Sequence, residues 1–238
     1  MRIAVVIPVL DEAERISGAI ASVSSGGKPG RAVGPAGSPA DPGPEILVVD
    51  AGSRDATAER ARQAGARVLA AGRGRARQLE AGWRASSGEV IVFLHADTRL
   101  EMGWESALRE ALTTPDVVGG AFRLAFDAPG FGFRVVELIV RLRVRLFALP
   151  YGDQAIFVRR SVLAEMGGVP PVDLMEDLDL VRGMNGRGRV VALRPAALTS
   201  ARRYQEQGVL GTLVRNALAL VAWRLGVDRE RIAGWVRR

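Results

Sequence analysis

The chain has 238 residues, a formal net charge of +7, 48% hydrophobic residues and 25% charged residues, a globular composition long enough for one large α/β domain. It has no cysteine and one histidine, which excludes a disulfide framework and thiolate metal sites and argues against a histidine triad or a zinc site. The positive charge suits a solvated basic surface, phosphate handling or contact with anionic lipid. Aromatic and basic residues do not interleave as they would to stack bases, so no nucleic-acid partner is expected.

Residues 1–10 carry one charge and run into an apolar stretch without a small-residue cleavage site, so no signal peptide is expected. Residues 2–10 are a continuous β-branched run, predicted as a buried parallel strand. Residues 11–24 place Ala13, Ile16, Ala19, Ile20 and Val23 at helical spacing. Residues 25–44 are packed with Gly, Pro, Ser and Ala and read as a surface insertion, expected to be poorly ordered. A second strand at 45–49, a turn at 50–53, a helix at 54–64, a third strand at 67–70, a helix at 77–86 and a fourth strand at 89–94 follow.

This rhythm predicts a mostly parallel central sheet with helices on both faces. Such sheets bind ligands at the carboxyl ends of their strands. Those ends here, 8–12, 50–53, 72–77 and 95–99, are all polar or glycine-rich. In the second half, 119–126 and 155–159 read as strands. Residues 133–149 are ambiguous. Val135, Leu138, Ile139, Leu142 and Leu146 form a helical stripe opposite Arg134, Glu137, Arg141 and Arg145, whereas 141–146 alternates as a strand would; the length favours a helix. Residues 208–225 predict another long helix, and a basic tail containing Trp235 ends the chain. The apolar stretch 217–223 is far short of the roughly 20 residues that span a bilayer. A cytoplasmic location is therefore expected, with peripheral contact at the inner membrane face. There is no internal repeat or second core, so 1–238 reads as one domain, with 1–118 as the ligand-binding half.

The fourth strand ends in His95-Ala96-Asp97. A carboxylate just past a buried strand can hold a divalent cation, with diphosphate oxygens completing the shell as is usual for magnesium. As an isolated residue, Asp97 could equally be a turn or helix-cap residue. Arginines 73, 75 and 77 sit in a Gly-Arg-Gly-Arg loop, where a guanidinium can pair with phosphate. The other acidic cluster is Met175-Glu176-Asp177-Leu178-Asp179. Neighbouring carboxylates raise one another's pKa, which suits a general base, and they also suit the start of a helix.

These motifs occur together in an order that resembles the family 2 glycosyltransferases of the GT-A fold: VVIPVLDEAERI from Val5, ILVVDAGSRDATAERA from Ile46, GEVIVFLHADTRL from Gly88, GDQAIFVRR from Gly152 and LMEDLDLVRGM from Leu174. The stretches GRGRARQLEAG, FLHADT, GGAFRL, YGDQAIFV and TSARRY further resemble the soluble subgroup named for arsenosugar biosynthesis, or for association with radical-SAM and selenium-linked proteins. The resemblance covers the chain outside the 25–44 insertion. It implies inverting, metal-dependent transfer of a sugar from a nucleotide-diphosphate sugar to an unidentified acceptor, with Mg2+ or Mn2+ as cofactor. The resemblance does not fix the base, and a UDP-sugar is the donor expected ahead of a GDP-sugar. Residues 119–238 would then carry the acceptor half and the C-terminal helices.

By the same resemblance, Pro8, Asp11 and Asp50 would sit by the nucleoside, Asp97 would be the metal ligand and Asp177, beside Glu176, the catalytic base. The donor set expected with them is Glu12, Arg73, Arg77, His95, Gly152, Asp153, Gln154, Arg202 and Arg203. Two positions depart from the family pattern. His95 stands where the first acid of an Asp-x-Asp metal motif is usual, and Ala51 replaces the second acid of a DDGS turn.

Two other readings compete with this one. A nucleotidyltransferase needs a glycine-rich phosphate loop after the first strand, where this chain has Val9-Leu10-Asp11-Glu12-Ala13. A membrane-surface protein on a transferase fold is suggested by the arginine-lined helix and the tail, but keeping both Asp97 and Asp177 argues against loss of catalysis.

Overall fold

The first strand, β1 (Ile3–Val9), is apolar on both faces because both are covered. In the computed structural model, which describes residues 1–24 and 43–236, its odd-numbered side chains Ile3, Val5, Ile7 and Val9 pack in one core with Ile16 and Ile20 of α1 (Ile16–Ser24), Ala61 of α2 (Thr57–Gln63) and Trp104 and Leu108 of α4 (Trp104–Ala111). Ala4 and Val6 face the other way. They meet Leu79 and Trp83 of α3 (Arg75–Ala85), Leu163 of α6 (Arg160–Glu165) and Leu178 and Val181 of α7 (Glu176–Asn185). Alternation along one strand thus fills two separate cores. Gly82 is what lets α3 lie close: a Cβ there would stand 2.2 Å from Val6 Cγ1. Apart from Gly43 and Pro44, the predicted insertion at 25–44 lies outside the described residues.

Among the described residues the sheet has eight strands, numbered in chain order and arranged β3-β2-β1-β4-β7-β6-β8-β5. β2 (Glu45–Asp50), β3 (Arg67–Ala70) and β4 (Val90–Phe93) join β1 in the expected parallel half. The other half makes the sheet mixed, with β7 and β5 running against the rest. β7 (Ile156–Arg159) runs antiparallel to both β4 and β6 (Val117–Phe126); β8 (Arg189–Thr199) is parallel to β6; and β5 (Thr98–Leu100) is antiparallel to β8.

The reversal positions the site. Phe93, where β4 leaves the sheet, pairs with Ile156, where β7 enters it. The turn before β7 is therefore delivered to the edge where β4 ends. β6 and β8 run in the same sense as β4, so Phe126 and Thr199 reach that edge too.

Residues 131–147 form one helix, α5 (Phe131–Phe147), rather than a strand. Its buried face is not the predicted stripe. Phe133, Val136, Val140 and Val144 point inward, and Leu138, Ile139, Leu142 and Leu146 are exposed. Glu137, expected on the solvent side, is buried. Its carboxylate accepts the Phe126 amide at 2.9 Å and the Arg134 guanidinium at 2.8 Å. A helix apolar on two sides offers the core a choice, and the contacts with β6 make it. The remaining helices are α8 (Arg202–Gln207), α9 (Val209–Arg224) and α10 (Arg229–Val236).

Candidate active site

The turns after β1 and β2 are laced together. Asp50 accepts the backbone N–H of Ser53 at 2.9 Å and its hydroxyl at 2.6 Å, and the Ser53 hydroxyl oxygen accepts the Asp11 N–H at 3.0 Å. Asp11, at φ 56°, accepts the Arg54 N–H at 2.7 Å. The Glu12 N–H donates to Thr57 Oγ1 at 2.8 Å, while the Glu12 carboxylate pairs with Arg15 at 3.1 Å. Under these turns, the buried Gln78 amide donates to the carbonyls of Val9 at 3.0 Å and Val49 at 2.8 Å, tying both strand ends to α3. A cavity of about 350 Å³ opens beside them, with Pro8, Glu12, Gly74, Arg75, Gln78, His95 and Asp97 in its wall.

Asp97 also borders a second cavity of about 260 Å³, and the second half of the chain completes that one. A 3₁₀ turn, Gly152–Gln154, precedes β7. The Gly152 N–H donates to Asp177 Oδ2 at 2.7 Å. A Cβ on Gly152 would stand 3.0 Å from His95 Nε2 and 3.3 Å from the same Asp177 oxygen, so a larger residue would press on both side chains. Asp177 opens α7, and its other oxygen accepts the Leu178 amide at 2.9 Å, so both carboxylate oxygens are held by backbone donors. Asp153 lines the same cavity, with one carboxylate oxygen buried and unpartnered among the described residues. Burial pushes Asp153 up to about 6; Arg143 opposes the shift, and the charges of Asp177 and Asp97 add to it. Burial, and then the charge of Arg75, push His95 down to about 3, so its imidazole is neutral near neutral pH.

Glu176 lies deeper than Asp177. It is 3% exposed and paired with Arg75 at 3.2 Å. Burial raises its pKa, and Arg75 pulls against the rise. A third cavity of about 300 Å³ continues from here between α7 and α9, bordered by Tyr151, Glu176, Asp177, Arg203 and Asn216. Among the described residues no three acidic or histidine groups converge closely enough to hold a metal ion unaided. The unpartnered Asp153 oxygen and the nearby Asp97 carboxylate suit a cation whose remaining ligands come from a bound anion.

Comparison with known proteins gives this geometry its context. The sequence model of glycosyl transferase family 2 matches residues 4–165. The chain belongs to that family. It is a glycosyltransferase, and the matched segment runs from β1 to the end of α6, through the strand-end turns and the Gly152–Gln154 turn but short of Asp177.

No curated protein sequence matches the chain. Solved structures do. Glucosyl-3-phosphoglycerate synthase from Mycobacterium tuberculosis, in complex with Mn2+, UDP and glucosyl-3-phosphoglycerate, aligns at TM-score 0.60 and 22% identity over 95% of this chain and 81% of that one. The same enzyme with Mn2+ and UDP-glucose aligns at TM-score 0.60 and 23% identity, over 95% and 80%. Residues 1–349 of S. aureus TarS align at TM-score 0.62 and 13% identity, over 99% and 69%. At these identities the likeness is one of fold, that of GT-A enzymes.

In this glycosyltransferase, Pro8, Glu12, His95 and Asp97 share one cavity wall, while Gly152, Asp153, Asp177 and Arg203 meet His95 and Asp97 across the second cavity. Asp11 and Asp50 stand beside the first cavity as braces for its rim. Gln154 turns inward: its amide donates to the Phe122 carbonyl at 3.1 Å, and its oxygen accepts the Tyr151 N–H at 3.2 Å. Arg202 is exposed and lies 4.0 Å from Glu206. Arg73 and Arg77 are exposed and border none of the three cavities; Arg75, at the start of α3, borders all three. Sequence reasoning also missed Gln78, Thr212 and Asn216. The last two are polar residues four apart on a helix otherwise made of apolar residues and arginine, and that spacing was the available signal.

Proposed function

We propose that the protein is an inverting, metal-dependent glycosyltransferase that uses a nucleotide-diphosphate sugar, with UDP preferred over GDP. The supporting observation is the meeting of Asp97, Asp153, Asp177 and His95 around one cavity beside Arg75. The nucleoside lies along the β1 and β2 turns by Pro8, Asp11, Glu12 and Asp50. The diphosphate reaches Asp97, with Arg75 as its guanidinium partner and Arg203 facing it from α8. A bound Mg2+ or Mn2+ held through Asp97 would neutralise the charge growing on the leaving diphosphate.

Asp177 is the general base. Its two backbone hydrogen bonds fix the carboxylate, which lines the cavity. It takes the proton of an acceptor hydroxyl as the acceptor oxygen bonds to the anomeric carbon and the bond from that carbon to the phosphate oxygen breaks, with inversion. Glu176, paired to Arg75, holds that arginine rather than sharing the proton transfer. His95, neutral, takes the place of a first metal-motif acid, so the ion depends on the diphosphate for more of its oxygens. Within the family, the subgroup named for arsenosugar biosynthesis is the reading carried by GRGRARQLEAG and YGDQAIFV.

Titration calorimetry with UDP, GDP and their sugars, with and without Mn2+, tests the proposal. The expected result is UDP binding that strengthens with metal; nucleotide binding indifferent to metal would sink the metal role, and no nucleotide binding at all would sink the reading.

A further inference from the structure

We propose that the outer face formed by α5 and α9 docks this protein on an anionic phospholipid surface. Eleven of the fifteen large hydrophobic residues exposed among the described residues lie on these two helices or directly after α9. On α5 they include Leu138 (52% exposed), Leu142 (48%) and Leu146 (69%); on α9, Leu210 (75%), Leu218 (58%) and Val221 (53%). The two helices run side by side in the same direction. Gly132 at the start of α5 faces Val209 at the start of α9, and at the far ends the Arg224 guanidinium stacks 5.4 Å from the Phe147 ring centre. Their outward stripes are therefore adjacent, and the described residues leave both uncovered. No described helix is long and apolar enough to cross a membrane. The pattern is that of helices lying in a bilayer interface, with apolar residues inserted and arginines level with the headgroups.

Charge selects the occupant. On α5, Arg134, Arg141 and Arg145 are exposed and the one acid, Glu137, is buried and paired. α9 has Arg215 and Arg224 and no acid. The arginines that turn inward are Arg143, over the Tyr151 ring, and Arg215, with one guanidinium nitrogen buried. A second copy of this face would set cations against cations with no exposed acid on either helix to answer them. An anionic lipid surface answers them directly. On the flank of α5 away from α9, a cavity of about 650 Å³ lies between α5, β6 and β8, mostly apolar, with Arg123, Arg141, Arg145 and Arg194 at its margin. Arg141, Arg145 and Arg194 make no ion pair among the described residues, so their guanidinium groups are available to a phosphate headgroup. The inner face of α9 contributes Thr212 and Asn216 to the catalytic cavity. Docking by the outer face thus brings the second-half side of the cleft to the lipid interface.

Flotation of the full chain with vesicles tests this without reference to catalysis or nucleotide. Binding is expected to vesicles of phosphatidylcholine with phosphatidylglycerol, and not to phosphatidylcholine alone, and it weakens as salt is raised. Leu142→Glu with Leu218→Glu abolishes it. Arg141→Ala and Arg145→Ala each weaken it by about fivefold, the loss expected of one arginine at a charged bilayer. Met102→Glu, an exposed apolar residue on the turn between β5 and α4, leaves binding unchanged, and circular dichroism and melting show that each variant is folded. Absence of binding to anionic vesicles overturns the proposal, as does equal loss in the Met102 variant. A dimer in solution that Leu142→Glu converts to monomer would instead assign this face to a second copy and overturn it as well. Flotation that succeeds while the nucleotide titrations fail would leave the docking face intact and remove only the catalytic reading.

Discussion

The two halves of the sheet build one site by opposite means. In β3-β2-β1-β4 every strand runs the same way, so each turn that follows a strand lands on the same edge, and consecutive sequence motifs become neighbours. In β7-β6-β8 one strand, β7, runs against its neighbours, and residues arrive either where a strand begins, as at Gly152–Gln154, or where one ends, as at Phe126 and Thr199. The first half supplies the metal ligand proposed for Asp97. The second supplies Asp177, whose position depends on a backbone N–H from the turn before β7. The residues proposed for donor handling and for proton removal thus meet because β7 is reversed.

That division of labour can be broken residue by residue. Asp177→Asn gives the largest effect: kcat falls by about 10² to 10⁴, the contribution of a positioned base, while Mn2+-dependent UDP binding by calorimetry stays as in the parent. A comparable loss of UDP binding would show that the two halves are not separate in function. Asp97→Asn comes next. It weakens UDP binding in Mn2+ by roughly a hundredfold, in keeping with the several kcal/mol that a metal supplies to charge stabilisation, and leaves the weaker metal-free binding nearly unchanged. Metal dependence that survives this change would move the ion to Asp153.

Arg75→Ala against Arg73→Ala sharpens the assignment within the first half. Arg75 borders the cavities and Arg73 does not, so the first change weakens UDP binding about tenfold, the scale of a charge-assisted hydrogen bond, and the second leaves it within about twofold. Equal effects would mean that the whole loop binds phosphate as a diffuse charge. The smallest effect is on stability. Gln78→Leu removes the two bonds that join the ends of β1 and β2 and lowers the unfolding free energy in urea by about 1–2 kcal/mol. No change in the denaturation midpoint would show that the strand ends hold themselves.

The parallel half was legible because its signals are local. Val, Ile and Leu runs broken by Asp, Gly and Ser turns read directly as strands and strand ends, and Asp97, His95, Pro8 and Glu12 all face the first cavity. β8 gave no such signal. Pro195 lies inside it, and a proline argues against a central strand unless it sits at an irregularity; here Arg194 and Pro195 are the extra residues in the register between Phe122–Leu193 and Arg123–Ala196. β5 is three residues long and exists only because β8 lies beside it. The spacing of the arginine loop alone could not say that Arg75 borders the cavities and pairs with Glu176 while Arg73 and Arg77 do not.

What the sequence by itself determined is the chemistry on offer: a single histidine, no thiol, acidic strand ends, and the Glu176-Asp177 pair some 80 residues beyond Asp97. Turn-forming and strand-forming residues act over a few neighbours, and those neighbours are adjacent in the chain. What only the tertiary structure decided is which carboxylates share a cavity and which face of α5 is core. Both depend on the direction of β7 and the seat of α5 against β6, contacts between residues distant in sequence whose free energy no local pattern contains.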